Sequence, residues 1–158
     1  MFFDPIAAGA ERVGRSLADL DLQVAGGVVA FSEDVESLIA PRKPGLAFTL
    51  GAMGSRQHNF YNEVYQRAGY ADVAHEVQDL WFKKQREEAA TRIPDELVLK
   101  TNLIGTEEMV RERLRVHKRA GVNTLQVNPD GQTLDARLAN LARLAELVKE
   151  IDAEPSLD

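Results

Sequence analysis

The chain has 158 residues, 44% hydrophobic and 28% charged, with 11 Gly, 6 Pro and no Cys; that is one domain, long enough to bury a core unaided, and the missing thiols exclude a disulfide framework, a Cys-based zinc site, an iron–sulfur cluster and a thiol nucleophile. A formal charge of −6 argues against nucleic acid as a partner, since neutralising phosphates takes a concentrated basic surface. No apolar stretch approaches the ~20 residues of a spanning helix, and Met1 to Pro5 lacks the basic and long apolar runs of a leader, so the expectation is a cytoplasmic protein with no membrane partner.

Pro5 follows Asp4 as a first helical residue follows its cap, and Ile6, Ala10, Val13 and Leu17 recur at helical spacing, which predicts a helix to about Leu20. Leu22 to Phe31 is apolar on both alternating faces, the pattern of a strand covered on both sides, as in parallel sheets. Within it Gly26-Gly27 suggests a bulge or a close backbone approach, with small-residue packing as the alternative. Ser32-Glu33-Asp34 can cap a short helix through Val35, Leu38 and Ile39 that Pro41 and Pro44 break. Leu46 to Met53, Asn59 to Arg67, Ala71 to Lys84 and Arg86 to Ile93 read as successive helices, punctuated by Gly54 and Gly69. Pro94 starts one more turn, while Leu97-Val98-Leu99 with Leu103-Ile104 is ambiguous between helix and strand. Thr106 caps a helix with Glu107 and Glu108 in its first turn; Val110, Leu114 and His117 make its inner stripe and Gly121 closes it. Val122 to Val127 is a strand, Asn128-Pro129-Asp130-Gly131 a turn, and Leu134, Leu138, Leu141, Ala145 and Val148 line a final helix.

Helix, glycine, strand, turn, helix is the cadence of a (β/α) repeat. Only two segments read as clear strands, however, and most of the chain separates them. Two isolated parallel strands leave edges unpaired and faces uncovered, so this pattern asks for more sheet than the two segments supply.

The stretch from Leu46 to Tyr70 is built around Gly51-Ala52-Met53-Gly54-Ser55-Arg56-Gln57-His58-Asn59-Phe60-Tyr61. It is followed by Pro94-Asp95-Glu96-Leu97-Val98, Leu103-Ile104-Gly105-Thr106-Glu107-Glu108, Val110 to Leu114 and Ala120-Gly121-Val122-Asn123-Thr124-Leu125. In order and spacing these segments resemble the luciferase-like oxidoreductases that use the deazaflavin coenzyme F-420. The resemblance implies an α/β fold, the (β/α)8 TIM barrel, which typically needs about 250 residues. Residues 1–158 would then form a single domain, the C-terminal portion of such a barrel, predominantly helical and holding about its last two strands. Met1 to Pro5 would lie just after the sixth strand, Val24 to Phe31 would be the seventh, Leu125 to Asn128 the eighth, and about 41–95 a helical insertion.

The activity so implied is hydride transfer to or from a small organic substrate, with coenzyme F-420 as cofactor and FMN as the alternative. In the family the groups that grip the deazaflavin ring and phosphate come mainly from earlier strands. The coenzyme is therefore not expected to be retained by this chain alone, and self-association or a missing N-terminal half is the expected partner. A non-catalytic helical half-barrel serving assembly or interaction, and a truncated gene product, remain the alternatives.

No catalytic acid or base stands out. Ser55 to Asn62 is the densest polar and aromatic stretch, and active sites of such barrels sit on the loops after the strands, which makes Arg56, Asn59, Tyr61 and Asn62 substrate-binding candidates. The same residues could form a capping and packing corner, with Asn59 as the N-cap. Lys100 could direct a cation toward an anionic substrate, or be an exposed lysine ahead of a strand. Asn128 ends the last strand, where barrel enzymes place contacts, although Asn before Pro129 is also ordinary turn chemistry. Gly51-Ala52-Met53-Gly54 is a lone Gly-x-x-Gly better explained by a tight helix crossing. His75 and Asp79 fall short of the His-rich zinc pattern, and no metal is expected. Arg111, Arg113, Arg115, Lys118 and Arg119 share a helix with Glu107, Glu108 and Glu112 and read as a solvated outer face.

Overall fold

The computed structural model describes residues 3–155. Met1 and Phe2, which the resemblance sets just after a strand, lie outside them. The first helix, α1 (Phe3–Glu11), is shorter than the apolar spacing predicts and already includes Asp4. It stops because Gly14 takes φ 71°, and the Arg15 amide then donates to the Ala10 carbonyl and the Gly14 amide to that of Glu11, both at 3.0 Å. This is a Schellman closure, and it leaves Leu17 in a separate 3-10 turn, Leu17–Asp19.

β1 (Gln23–Phe31) is the central strand of a parallel sheet. On one side it pairs with β3 (Thr124–Pro129), from Gln23 opposite Thr124 to Val29 opposite Pro129. On the other it pairs with a strand the sequence left ambiguous, β2 (Leu103–Gly105), through Val29, Ala30 and Phe31. The sheet thus has three strands and not two, and the edge of β1 expected to lack a partner is covered at its C-terminal end. The pairing of Val24–Val29 with Leu125–Pro129 is parallel and adjacent, as expected. The spatial order β2-β1-β3 differs from chain order, whereas a barrel pairs each strand with the next along the chain.

The register of β1 against β3 shifts between Ala25 and Gly27. Gly27 has φ 68°, and a side chain there would run into the Thr101 carbonyl and, at 2.7 Å, the Asn102 side-chain oxygen. Both readings of the glycine pair, bulge and close approach, hold at this residue.

Each face of the sheet meets its own layer of helices, which is why β1 is apolar throughout. Val29 joins Leu103, Val110, Leu114, Leu144, Leu147 and Ile151 under α8 (Glu107–Arg119) and α9 (Leu134–Ala153). Ala30 and Ile104 join the opposite core with α2 (Val35–Ile39), α3 (Lys43–Ala52), α5 (Ala71–Phe82) and α6 (Arg86–Thr91). Pro44 does not delay α3 to Leu46; it occupies the first turn, where no amide is needed. Gly51 lies against Trp81, whose Cβ and Cγ are 2.5 Å from where a glycine side chain would begin. The Gly-x-x-Gly is therefore a helix crossing. α4 (Phe60–Tyr65) and α7 (Asp95–Thr101) complete the helical block, and Leu97 to Leu99 resolve as helix. No helix among the described residues is long and apolar enough to cross a membrane.

Candidate functional site

The polar loop before α4 is tied into the helical block. Asn59 caps α4, its Oδ1 accepting from the Asn62 amide at 3.1 Å while its Nδ2 donates to the Leu50 carbonyl at 2.9 Å. Asn62 donates to the carbonyls of Leu50 at 2.9 Å and Ala74 at 2.7 Å and accepts from Gln66 at 2.6 Å. Both asparagines are buried, and their amides hold α3, α4 and α5 together. Arg56 is exposed, paired with Asp79 at 3.0 Å and set 5.2 Å from the Phe82 ring centroid. Tyr61 is exposed, edge-on to Phe60 at 5.6 Å. Asn128 is exposed in β3, in register with Val28. Lys100, at the end of α7, pairs with Glu96 and donates to the Tyr70 hydroxyl at 3.1 Å.

Two of the cavities that adjoin the sheet bear on the site. One of about 300 Å³ lies beyond the C-terminal ends of β1 and β2, lined by Ser32, Glu33, Thr106, Glu107 and Arg143. The arginine in its wall is held by carboxylates: the Arg143 Nε donates to Glu107 at 2.8 Å and its Nη1 to Glu146 at 2.7 Å. The arginine contacts hold the Glu107 carboxyl below the ordinary range, Arg143 more strongly than Arg111. The second cavity, of about 640 Å³, runs along β1 from Val24 to Val28, beside the part of the strand that β2 does not reach. Leu46 and Tyr65 form its apolar wall together with the strand, and Arg42, Lys100 and Arg113 are the charged residues that line it.

Asn102 positions this second cavity. Its Oδ1 accepts from the Val28 amide at 2.9 Å, where a fourth strand residue would otherwise pair, and its Nδ2 donates to the Val98 carbonyl at 2.9 Å. Arg42 donates to the Leu38 carbonyl and pairs with Asp130 at 2.5 Å. Arg113 donates to the Lys100 carbonyl, yet among the described residues it has no carboxylate partner, and its buried Nε finds no acceptor. Burial pushes the Arg113 guanidinium down from its usual range, and burial, with the Arg113 charge beside it, pushes the His117 imidazole down as well.

Of the six candidate residues, Lys100 alone lines this cavity, and Asn128 lies one strand away from it. Arg42, Tyr65 and Arg113 are additions from the structure. The sequence holds one signal for Arg113: it sits between Val110, Leu114 and His117 on α8, at the margin of the buried stripe. Among the described residues no three His, Cys, Asp or Glu side chains converge in a way that could hold a metal.

Residues 1–124 match the family model described as luciferase-like monooxygenase. The chain is also 34% identical over 128 residues to a Mycobacterium tuberculosis protein whose name assigns it, provisionally, to the coenzyme F-420-dependent oxidoreductases. The aligned segment covers 80% of this chain and 37% of that protein, so the chain spans little more than a third of this relative's length. No solved structure matches the chain.

Proposed function

Because the chain belongs to the luciferase-like monooxygenase family, we propose that it contributes the C-terminal portion of a deazaflavin-dependent oxidoreductase, in which a hydride passes between coenzyme F-420 and a small organic substrate. The observation that carries this reading is the 34% identity, over 80% of the chain, to a relative named for that coenzyme. In such an enzyme the coenzyme supplies the hydride chemistry, and the protein binds, orients and excludes water. The site at the strand ends does not by itself fit the whole coenzyme. The cavity beyond the strand ends is only about 300 Å³, at the lower limit for a site that encloses a drug-sized ligand, and Arg143 and Arg42 are already matched to Glu107 and Asp130. Lys100, Arg56, Tyr61 and Asn128 remain the exposed polar candidates for contacts to the substrate.

Affinity is a sum of contacts less the cost of ordering, so a chain holding few of the contacts binds weakly. Fluorescence titration of the folded chain with coenzyme F-420 and, separately, with FMN tests this. Saturation by the deazaflavin only above the low micromolar range, and more readily than by FMN, is expected. Low-micromolar deazaflavin binding would place the coenzyme site within this chain, and tighter binding of FMN would reverse the cofactor assignment. A second reading, an assembly module without catalysis, is favoured by one feature: Leu134, Leu138 and Leu141 are 70%, 51% and 40% exposed along one face of α9.

A further inference from the structure

We propose that the cavity along β1 binds a small organic monocarboxylate, its carboxylate beside Arg113 and its apolar body against Val24, Val28, Leu46 and Tyr65. Three cations line a space of about 640 Å³ that no carboxylate lines. Arg42 and Lys100 are neutralised from outside it, by Asp130 and Glu96. Arg113 is not: among the described residues its one hydrogen bond goes to a backbone carbonyl, and its Nε has no acceptor although it is buried. A guanidinium drawn partly out of water without a counter-ion is costly, and a buried donor left unmet adds to that cost. One negative charge brought into the cavity offsets both. One is also all that is required, which favours a monoanion over a phosphate dianion.

The remainder of the lining points to the rest of the ligand. The cavity wall is mainly aliphatic and aromatic, as in sites that enclose the body of a small molecule and fix it with few polar groups. Tyr65 adds a phenol that makes no hydrogen bond to any described residue, and burial alone pushes its pKa up. It remains a donor at neutral pH, able to share the carboxylate with Arg113. The Thr101 hydroxyl and the Asn102 amide are already engaged with backbone carbonyls of α7. Among the described residues the lining thus offers one cation without a carboxylate partner, Arg113, and a free phenol, while the buried Nε of Arg42, like that of Arg113, also meets no acceptor. Binding of this kind is independent of the deazaflavin reading, because it concerns the chain without coenzyme.

The test uses benzoate as the probe, benzamide as its uncharged isostere, acetate as a carboxylate without the body, and inorganic phosphate as another anion, all against chloride at matched ionic strength. Binding is followed through the arginine Nε–H resonances and by calorimetry. Saturable benzoate binding is expected, at least about tenfold tighter than benzamide or acetate, with the Arg113 Nε–H resonance shifted. Arg113→Gln should weaken benzoate by at least about tenfold, while Tyr65→Phe should weaken it by a smaller factor. Equal binding of benzoate and benzamide, preference for phosphate, or benzoate binding that leaves the Arg113 resonance in place overturns the proposal. The resonance is read on the unmodified chain, so this outcome does not depend on Arg113→Gln folding.

Discussion

Asn62 is 1% exposed and makes hydrogen bonds through both ends of its amide: two donated to carbonyls on α3 and α5, one accepted from Gln66. A leucine would fill nearly the same volume but leave the Gln66 amide without its acceptor and strip the Leu50 and Ala74 carbonyls of a donor inside the helical block. Asn62→Leu should therefore lower the unfolding free energy by about 2–4 kcal/mol, read from urea denaturation with an unchanged slope on denaturant. A loss within about 0.5 kcal/mol would show that the site carries no structural demand. The sequence marked Asn59 and Asn62 as polar residues in a loop, and that much was legible. What it could not reveal is that two backbone carbonyls nine and twelve residues away would turn toward them, since such pairing depends on how three helices pack. Arg113 was hidden for the converse reason. It lies on a helix rich in charges of both signs, and that it alone of the arginines there forms no ion pair among the described residues, donating instead to the Lys100 carbonyl, depends on how the end of α7 meets α8.

Among the elements, β1 was the most legible, because a strand apolar on both faces must be covered on both, and Gly26-Gly27 announced its irregularity. β2 was not legible. Three residues, Leu103–Gly105, show no period, and what makes them a strand is the free C-terminal edge of β1 to which they add. The two features meet at Gly27, whose backbone lets the end of α7 approach so that Asn102 can satisfy the Val28 amide. Gly27→Ala would place a methyl group against the Thr101 carbonyl at φ 68°, a conformation costly for any residue with a side chain. A loss of about 2 kcal/mol or more is expected on denaturation, with hydrogen exchange at Val28 accelerating before that of Val29. An alanine variant as stable as the parent, with Val28 still protected, would show that α7 docks without help from the bulge. The early end of α1 has a comparable cause: Gly14 sits inside an apolar pattern that otherwise runs on to Leu17, and the left-handed turn there outweighs the periodicity.

At the scale of the whole molecule, the sheet has a covered centre and open margins. Among the described residues β3 pairs only with β1, and β2 only with the last three residues of β1. Two parallel edges therefore present unpaired donors and acceptors, in an architecture whose parallel strands are ordinarily enclosed. The stripe Leu134, Leu138 and Leu141 on α9 adds exposed apolar surface. A net charge of −6 keeps copies apart at long range, but salt screens it beyond about 10 Å and it does nothing for an unpaired strand at contact. Copies of the chain should consequently associate, pairing their edges or covering the α9 stripe, unless the remainder of a longer protein does so. Size-exclusion chromatography with light scattering at physiological salt tests this most directly. A mass at least twice the chain's 17.5 kDa, or concentration-dependent growth toward it, is expected; a stable monomer of 17.5 kDa that unfolds cooperatively would contradict it.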